Sequence, residues 1–531
     1  MTSEPESLLG RLVEDAASVG LDGIRRGIEK ESLRVAPNGA LAQTSHPASL
    51  GSALTHPHIT TDFSEALIEL ITDPETDVAQ TLGQLEEIHA WVYRQIGEEI
   101  LWSASMPCVL RGDDHIPLGR YGNSNVGTAK TVYRRGLGHR YGRTMQTIAG
   151  IHYNFSVPQR FWEWLAAESG WTGDVQEFAS QRYFDLIRNF RRTSWLLMYL
   201  FGASPAVCKS FLAGREHSLE SFDEGSVYLP HATTLRMGNL GYQSDAQSTL
   251  QVSYNCLASY ARSLQDALTR PWPEYEAIGL ERDGVFQQLS TSLLQIENEF
   301  YGTIRPKRTT IGPHERPLHA LGMRGVEYIE VRCMDVNPFL PLGIDSETIE
   351  FLDAFLLHCL LTDSPPDTPE EIAVLQGNRT AIVERGREPG LVLESPTGPR
   401  SVAEWGHAIL DDCAHSAAAL DSIHGGDAAA RALAVQRARL DDPSRTPSAR
   451  ILDRMSRERV PFFRVAMDAS QQHADYFRAV PLADDVATRL ARESRESLDK
   501  QAEIEAADTV DFATYRRQFI DQPLIPGVAA D

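Results

Sequence analysis

A chain of 531 residues with 42% hydrophobic side chains has the material for a large buried core. Its 50 Lys and Arg against 73 Asp and Glu leave a net charge of −23, which argues against a general nucleic-acid or membrane-surface role. No apolar run reaches the roughly 20 residues of a membrane span; the longest, near 195–203, is short and interrupted. The first stretch, MTSEPESLLGRLVEDAAS, is acidic and amphipathic and lacks the cationic start and apolar block of a signal peptide. A cytoplasmic protein is expected. In chain order, strands are expected at 27–35 and 68–72, a long helix at 76–102, a strand at 151–157, a second long helix at 176–202 and a strand at 326–333. From about residue 346 onward Ala, Leu, Arg and Glu dominate at helical spacing, over 350–361, 403–423, 428–440 and 486–507. Pro- and Gly-rich breaks at 364–369 and 386–390 punctuate them. This texture predicts an α+β catalytic core over about 8–345 and a helical C-terminal part over about 346–531. No flexible linker is evident, so 1–531 is expected to act as one catalytic unit.

The strand candidates share an unusual feature. Residues able to bind metal or phosphate recur at i and i+2: Glu29 and Glu31 in GIEKE, His152 and Asn154 in IHYNF, Glu330 and Arg332 in IEVR. Side chains alternate across a strand, so each pair lies on one face. Taken alone, an E-x-E or H-x-N is ordinarily a solvated face. In strands otherwise rich in Ile, Val, Tyr and Phe, three such pairs point to one wet concavity in a shared sheet. Carboxylates with one imidazole and no thiolate suit Mg²⁺ or Mn²⁺. Arg332 then supplies an electrostatic clamp for a transferring phosphoryl group. The segment TTDFSEALIEL at 60–70 adds Asp62 and Glu69, which share the pocket if a turn at Phe63–Ser64 leads into a short strand. Glu65 is expected to be an exposed turn residue. Arg134, Arg236, Arg305, Lys307 and Arg308 offer further local cations.

Other chemistries find no support. The six cysteines, at 108, 208, 256, 333, 359 and 413, form no C-x-x-C pair. Buried free thiols are expected, rather than a disulfide framework or a zinc site. There is no G-x-x-x-x-G-K-[ST], no G-x-S-x-G and no G-x-G-x-x-G. The stretch YGNSNVGT at 121–128 is only weakly similar to a phosphate loop, and its residues are ordinary turn formers.

The same residues carry a resemblance to the proteobacterial type of glutamate–cysteine ligase. It rests on GIEKESLRV at 27–35, HPASLGSALTHPHITTDFSEALIELIT at 46–72, SMPC at 105–108, YGNSN at 121–125 and YRRGL at 133–137. It continues in RYGRTMQTIAGIHYNFSVP at 140–158, YLFGASPAVC at 199–208, LQIENEFYGTIRPKR at 294–308, VEYIEVRCMDVNPF at 326–339 and PSARILDRM at 447–455. The resemblance implies a curved antiparallel sheet forming a funnel-shaped site, as in glutamine synthetase and guanidino kinases. It implies ATP as co-substrate and Mg²⁺ held by Glu29, Glu31, Asp62, Glu69, His152 and Glu330, with Asn154 beside them. Arg134 and Arg332 would hold phosphate oxygens, and Arg236 the glutamate or the transferred phosphate. Phe63, Tyr133, Leu137, Gln146, Tyr242 and Tyr301 resemble the wall that receives the cysteine side chain. On residue type alone Tyr133, Leu137, Tyr242 and Tyr301 are core aromatics and aliphatics. A cysteine pair known in the family falls where this chain reads GNRTAIVERGREPGLVLESPTG, at 377–398. It has no cysteine there, so no disulfide switch is expected at that position.

The implied reaction is ATP-dependent joining of the L-glutamate γ-carboxylate to the L-cysteine amine through a γ-glutamyl phosphate. The product is γ-glutamylcysteine, in the first step of glutathione biosynthesis. No enzyme nucleophile is needed. By resemblance, a monomer inhibited by glutathione is expected, with no nucleic-acid or membrane partner. Two rivals stand beside this: a carboxylate–amine ligase with another amine, and a non-catalytic regulator that binds nucleotide or glutamate.

Overall fold

Strand β1 (Arg25–Val35) runs for 11 residues and pairs on both sides. One of its faces presents Ile28 and its neighbours to the interior; the other carries Glu29 and Glu31. Around it a computed structural model, which describes residues 12, 19–107, 109–212, 214–240, 250–312 and 314–523, assembles a 7-stranded sheet. The remaining strands are β2 (Ile59–Thr61), β3 (Leu67–Ile71), β4 (Ile100–Leu101), β5 (Ile151–Ser156), β6 (Ile304–Lys307) and β7 (Tyr328–Met334). Their spatial order is β6-β7-β5-β1-β3-β2, with β4 pairing the end of β1, and every pairing is antiparallel. The register shifts between Val331 and Met334, and the pairing of β7 with β5 resumes at Met334 opposite Ile151.

Register fixes the two faces, because directly opposed residues share a side. Opposite Ile28 lies Tyr153, and Val331 opposes Tyr153 from the other edge; Ile329 opposes Phe155. These side chains, with Ile68 and Leu70, are all buried. They meet helices α1 (Val78–Tyr93), α3 (Val175–Thr193) and α4 (Ser346–Leu361). A polar clasp crosses this core: Arg26 Nε donates to Asp353 on α4 at 2.8 Å, and the Tyr153 hydroxyl donates to Asp353 at 2.6 Å. A buried carboxylate so held needs both partners, since an unpaired one is strongly destabilising.

Other helices complete the body. Helix α2 (Asn125–Tyr141) lies over the sheet's polar face. The C-terminal part contains α4, α5 (Pro369–Arg385), α6 (Val402–His424), α7 (Ala428–Asp441), a helix at Pro447–Glu458, α8 (Phe462–Ala479), α9 (Asp484–Ala506) and α10 (Phe512–Ile520), and departs from the expected all-helical texture in a two-stranded hairpin, Val392–Ser395 with Gly398–Ser401. Helix α4 is buried on nearly all sides and contacts α3, α6 and α7, the pattern of a core helix rather than a surface one. The C-terminal helices are laced to the first part. Ser497 Oγ accepts from Ser52 N at 2.9 Å, Ser470 Oγ accepts from Ser103 N at 2.9 Å, and Ile520 O accepts from Arg316 Nη1 at 3.1 Å.

Several expectations change. The helix expected over 76–102 ends at Tyr93; Gly97 adopts φ 63°, and the chain turns into β4. The helix over 176–202 is two, broken at Ser194, with the second at Trp195–Phe201. Glu65 is buried, not exposed: its carboxylate accepts from His46 N at 2.7 Å and Arg120 N at 2.6 Å. Cys333, Cys359 and Cys413 are buried free thiols, but Cys256 is exposed and Cys208 is disulfide-bonded. The stretch at 121–128 is a helix start, where Ser124 caps α2 by accepting from Gly127 N at 3.1 Å. Most of the acidic N-terminal stretch lies outside the described residues. Among the described residues no helix is long and apolar enough to cross a membrane.

Candidate active site

The polar face of the sheet follows from the register. Glu29 opposes His152, Glu31 opposes Glu69, and Asn154 opposes Glu330, which opposes Arg305 on the edge strand. Asp62 follows β2, after which Phe63 takes φ 57° and the chain turns into β3; Asp62 and Glu69 thus reach the same cavity. The cavity holds about 840 Å³ and is lined by Glu29, Glu31, Asp62, Glu69, His152, Glu330 and Arg332 on the sheet side. Above them, Lys130, Tyr133, Arg134 and Leu137 project from α2 at i, i+3, i+4 and i+7, one helical face. The lining also includes Arg236, Gln146 and Tyr301.

Contacts within the site are dense. The His152 Nδ1 lies 3.1 Å from Glu29 Oε2 and 3.7 Å from Glu330 Oε1. Asn154 Nδ2 donates to Glu29 Oε1 at 2.9 Å. Arg332 and Lys307 approach Glu330 Oε1 at 3.1 and 3.3 Å. Arg134 pairs with Asp62 at 3.2 Å and stacks 4.5 Å over the Tyr121 ring. Arg236 is aimed by Arg332 O, which accepts from Nη2 at 3.0 Å, and by Asp335 at 3.7 Å. The Gln146 amide and the Tyr301 hydroxyl bond each other at 3.1 Å.

The electrostatics divide the carboxylates. Burial disfavours ionisation of Glu330, but Lys307, Arg332 and His152 overcome it and hold its pKa well below the usual range. Burial raises the pKa of Glu31, with Asp62 adding to it against His152 and the arginines. Glu69 is pushed well up, first by burial and then by Glu29, Asp62 and Glu31. Like charges crowded in a low-dielectric cleft call for a cation. Two buried oxygens, Glu330 Oε2 and Asn154 Oδ1, have no hydrogen-bond donor among the described residues. Ligand atoms of Glu29, His152 and Glu330, and of Glu31, Glu69 and His152, gather within 4.8 Å in each set. Oxygen donors with one imidazole, orphaned oxygens and crowded negative charge fit a hard divalent ion.

Most of the residues singled out in the sequence converge here, with four exceptions, of which Arg308 lies outside the lining and faces Glu327 at 3.8 Å. Phe63 is 1% exposed and absent from the lining; its ring lies behind α2, near Gly138. Asn154 orients Glu29 without lining the cavity itself. Tyr242 lies outside the described residues. Residues not singled out join the site: Lys130, Gly150 and Asp335, with Arg191, Tyr254 and Arg379 along one arm, and Tyr515 and Phe519 from α10. Lys130 stood one helical turn before Arg134, a readable signal; α10 carried none, because amphipathicity shows which face is buried but not against what.

A cleft of arginines over a carboxylate-rich sheet face is the setting of an enzyme that handles phosphate. The glutamate-cysteine ligase family model matches residues 9–382. The chain is 52% identical over 92% of its length to a glutamate–cysteine ligase of Pseudomonas paraeruginosa, covering 92% of that protein. It is 49% identical over 96% of its length to one of Alcanivorax borkumensis, covering 98% of that protein. The crystal structure of a glutamate–cysteine ligase from Francisella tularensis in complex with AMP superposes with a TM-score of 0.87 at 34% identity, covering 94% of this chain and 97% of that one. In fold alone it also resembles a bifunctional glutathione synthetase from Pasteurella multocida, with a TM-score of 0.69 at 24% identity, covering 89% of this chain and 55% of that one. The chain belongs to the glutamate–cysteine ligase family.

Proposed function

We propose that the enzyme joins the γ-carboxylate of L-glutamate to the amine of L-cysteine, consuming ATP and releasing γ-glutamylcysteine, ADP and phosphate. This is the first step of glutathione biosynthesis. The observation that carries it is the polar face of the sheet, where Glu29, Glu31, Glu69, His152 and Glu330 share one cavity with Arg134, Arg236 and Arg332 in a chain of this family.

A carboxylate is a poor acyl donor, so the γ-phosphoryl of ATP first moves to the γ-carboxylate of glutamate. Both partners are anionic. Arg134 and Arg332 hold phosphate oxygens and offset that charge in the transition state. Arg236, fixed by Arg332 O and Asp335, holds the glutamate or the transferred phosphate. Glu29, Glu31, Asp62, Glu69, His152 and Glu330, with Asn154 orienting Glu29, would hold Mg²⁺ or Mn²⁺. Such ions, when bound, screen the phosphates from the carboxylates. The cysteine side chain lies against Tyr133, Leu137, Gln146 and Tyr301, with Phe63 behind this wall. The cysteine amine gives up its proton to a neighbouring carboxylate or phosphate oxygen as it attacks the γ-glutamyl phosphate.

We propose further that the sheet forms the funnel of a glutamine-synthetase-like site. Residues 1–531 then act as one catalytic unit, working as a cytoplasmic monomer. Glutathione, whose γ-glutamyl and cysteinyl parts match both substrates, inhibits by occupying their places.

The test is ADP release with ATP, Mg²⁺ and glutamate, with and without cysteine, the product being identified by mass. Cysteine-dependent release with γ-glutamylcysteine as product is expected. Release driven by another amine would replace the acceptor, and ATP binding without turnover would favour a regulator. Glu330→Gln is expected to lose turnover by ~100-fold or more while its circular dichroism stays that of the parent. Near-parental turnover at saturating Mg²⁺ would remove Glu330 from the ligand set.

A further inference from the structure

Among the described residues lining the cavity, every basic side chain but one has a carboxylate acting on it. Lys307 and Arg332 face Glu330, Arg134 faces Asp62, Arg191 pairs with Asp367 at 2.7 Å, and Arg236 has Asp335. Lys130 lies in the field of Glu69 and Asp62, and Arg305 in that of Glu330. Arg379 is the exception. It projects from α5, half-buried, and makes no hydrogen bond or ion pair with any described residue. Burial lowers its pKa first, and the charged Arg191 lowers it further; only the Cys333 thiol acts the other way. A guanidinium partly withdrawn from water, beside a like charge and without a counter-ion among the described residues, is unfavourable unless a ligand supplies the anion.

Its position says which anion. Arg236 bonds the carbonyl of Arg332, and the next residue, Cys333, lies in the fields of both Arg236 and Arg379. Beyond Arg379 comes Arg191, stacked 4.6 Å over the Tyr254 ring. Arg236, Arg379 and Arg191 thus follow one another as a row in the cavity lining, Arg236 and Arg379 sharing Cys333 and Arg191 acting on Arg379. A short dicarboxylate whose near carboxylate sits at the site of phosphoryl transfer extends its far carboxylate along this row. A planar guanidinium matches a carboxylate bidentately.

We propose that Arg379 binds the α-carboxylate of the glutamate substrate and so separates glutamate from carboxylates that lack that group. This rests on the ligase activity proposed above. Purified parent, Arg379→Ala and Arg379→Lys enzymes are compared with glutamate, cysteine and ATP each varied, and with 4-aminobutyrate, which is glutamate without its α-carboxylate. Parent turnover with glutamate and cysteine reports on the ligase activity; the differences between enzymes and substrates report on Arg379. The expected result is a rise of about 10- to 100-fold in the KM for glutamate of Arg379→Ala, with the KM for ATP unchanged. Arg379→Lys recovers part of the loss. The parent strongly prefers glutamate over 4-aminobutyrate, and Arg379→Ala loses most of that preference. A preference that survives in Arg379→Ala, or a KM change for cysteine instead of glutamate, would overturn the proposal. So would a parent that uses 4-aminobutyrate as well as glutamate, whatever the variants do.

Discussion

At the scale of single residues, the site depends on a position that carries no chemistry of its own. Gly150 precedes β5; its N–H donates to Glu31 Oε2 at 2.6 Å and its carbonyl accepts from Glu31 N at 3.0 Å. A Cβ placed there would meet Arg236 Nη2 at 2.0 Å and Cζ at 2.7 Å. The bare backbone is what lets the guanidinium sit beside the carboxylate-rich face. Gly150→Ala is therefore expected to displace Arg236. Turnover should fall by about 10-fold or more, with little change in thermal stability, because a flexible side chain yields more easily than a sheet. Equal losses of activity and melting temperature would show that the backbone moved instead. The positions that expose a function in sequence are those with an unusual residue type. A glycine before a strand gives no such sign, and Gly150 was missed for that reason.

Among the elements, the strands were the most legible and the short connections the least. The i, i+2 pairs on β1, β5 and β7 were readable because alternation alone puts each pair on one face, and the register then sets Glu29 against His152 and Glu330 against Asn154. Strand β6 was not read, since Pro306 within it argues against a strand until its place at the sheet edge is known. The expected helix at 76–102 ran too far because the periodic apolar pattern continues through Ile96, Ile100 and Leu101; the turn at Gly97 becomes visible only with its left-handed φ. The entry to β2 shows an interaction that sequence cannot supply. His56 is 6% exposed, and its Nδ1 accepts from both His58 N and Ile59 N at 3.0 Å. Burial, with His58 and His46 nearby, brings its pKa down to about 4. Above pH ~6.5 neither the folded nor the unfolded chain protonates this ring. As the pH falls from there to about 4 the unfolded chain takes up the proton and the folded one does not, so stability declines across that window. His56→Asn keeps an acceptor for the two N–H groups and removes the titration. It is expected to flatten the dependence of the urea midpoint on pH between about 4 and 6.5, by on the order of 3 kcal/mol overall. An unchanged slope would assign the acid sensitivity to other groups.

At the scale of the whole molecule, the helical C-terminal part is not an appendage to the core. Tyr515 and Phe519 of α10 line the cavity formed by a sheet that begins near residue 25. The helix is held there by contacts on both flanks. Asn125 Nδ2 donates to Val510 O at 2.9 Å, Arg516 Nη1 donates to Leu289 O at 2.6 Å, and Gln522 Oε1 accepts from Arg316 N at 2.9 Å. Its apolar side covers Val126, Ala129 and Val132 on the helix that carries Arg134. A chain stopped after residue 507 is expected to keep its sheet, as judged by circular dichroism, yet to lose about 10-fold or more in kcat/KM for ATP, because one cavity wall becomes solvent. Full activity in the shortened chain would mean that α10 is a passive neighbour.

The order of the strands also has a bearing on how the molecule is made. Strand β5 pairs on one side with β1, delivered early, and on the other with β7, which begins at Tyr328. Translation at about 5–20 residues per second leaves that second side open for roughly 10–35 s. For that interval a nascent chain offers a row of unpaired backbone groups, flanked by Tyr153 and Phe155, to any other extended segment in reach. A cell that slows this ribosome or crowds it with sister chains would be expected to lose more of the enzyme to aggregation than to faulty catalysis, so its supply depends on chaperones that shield a waiting edge.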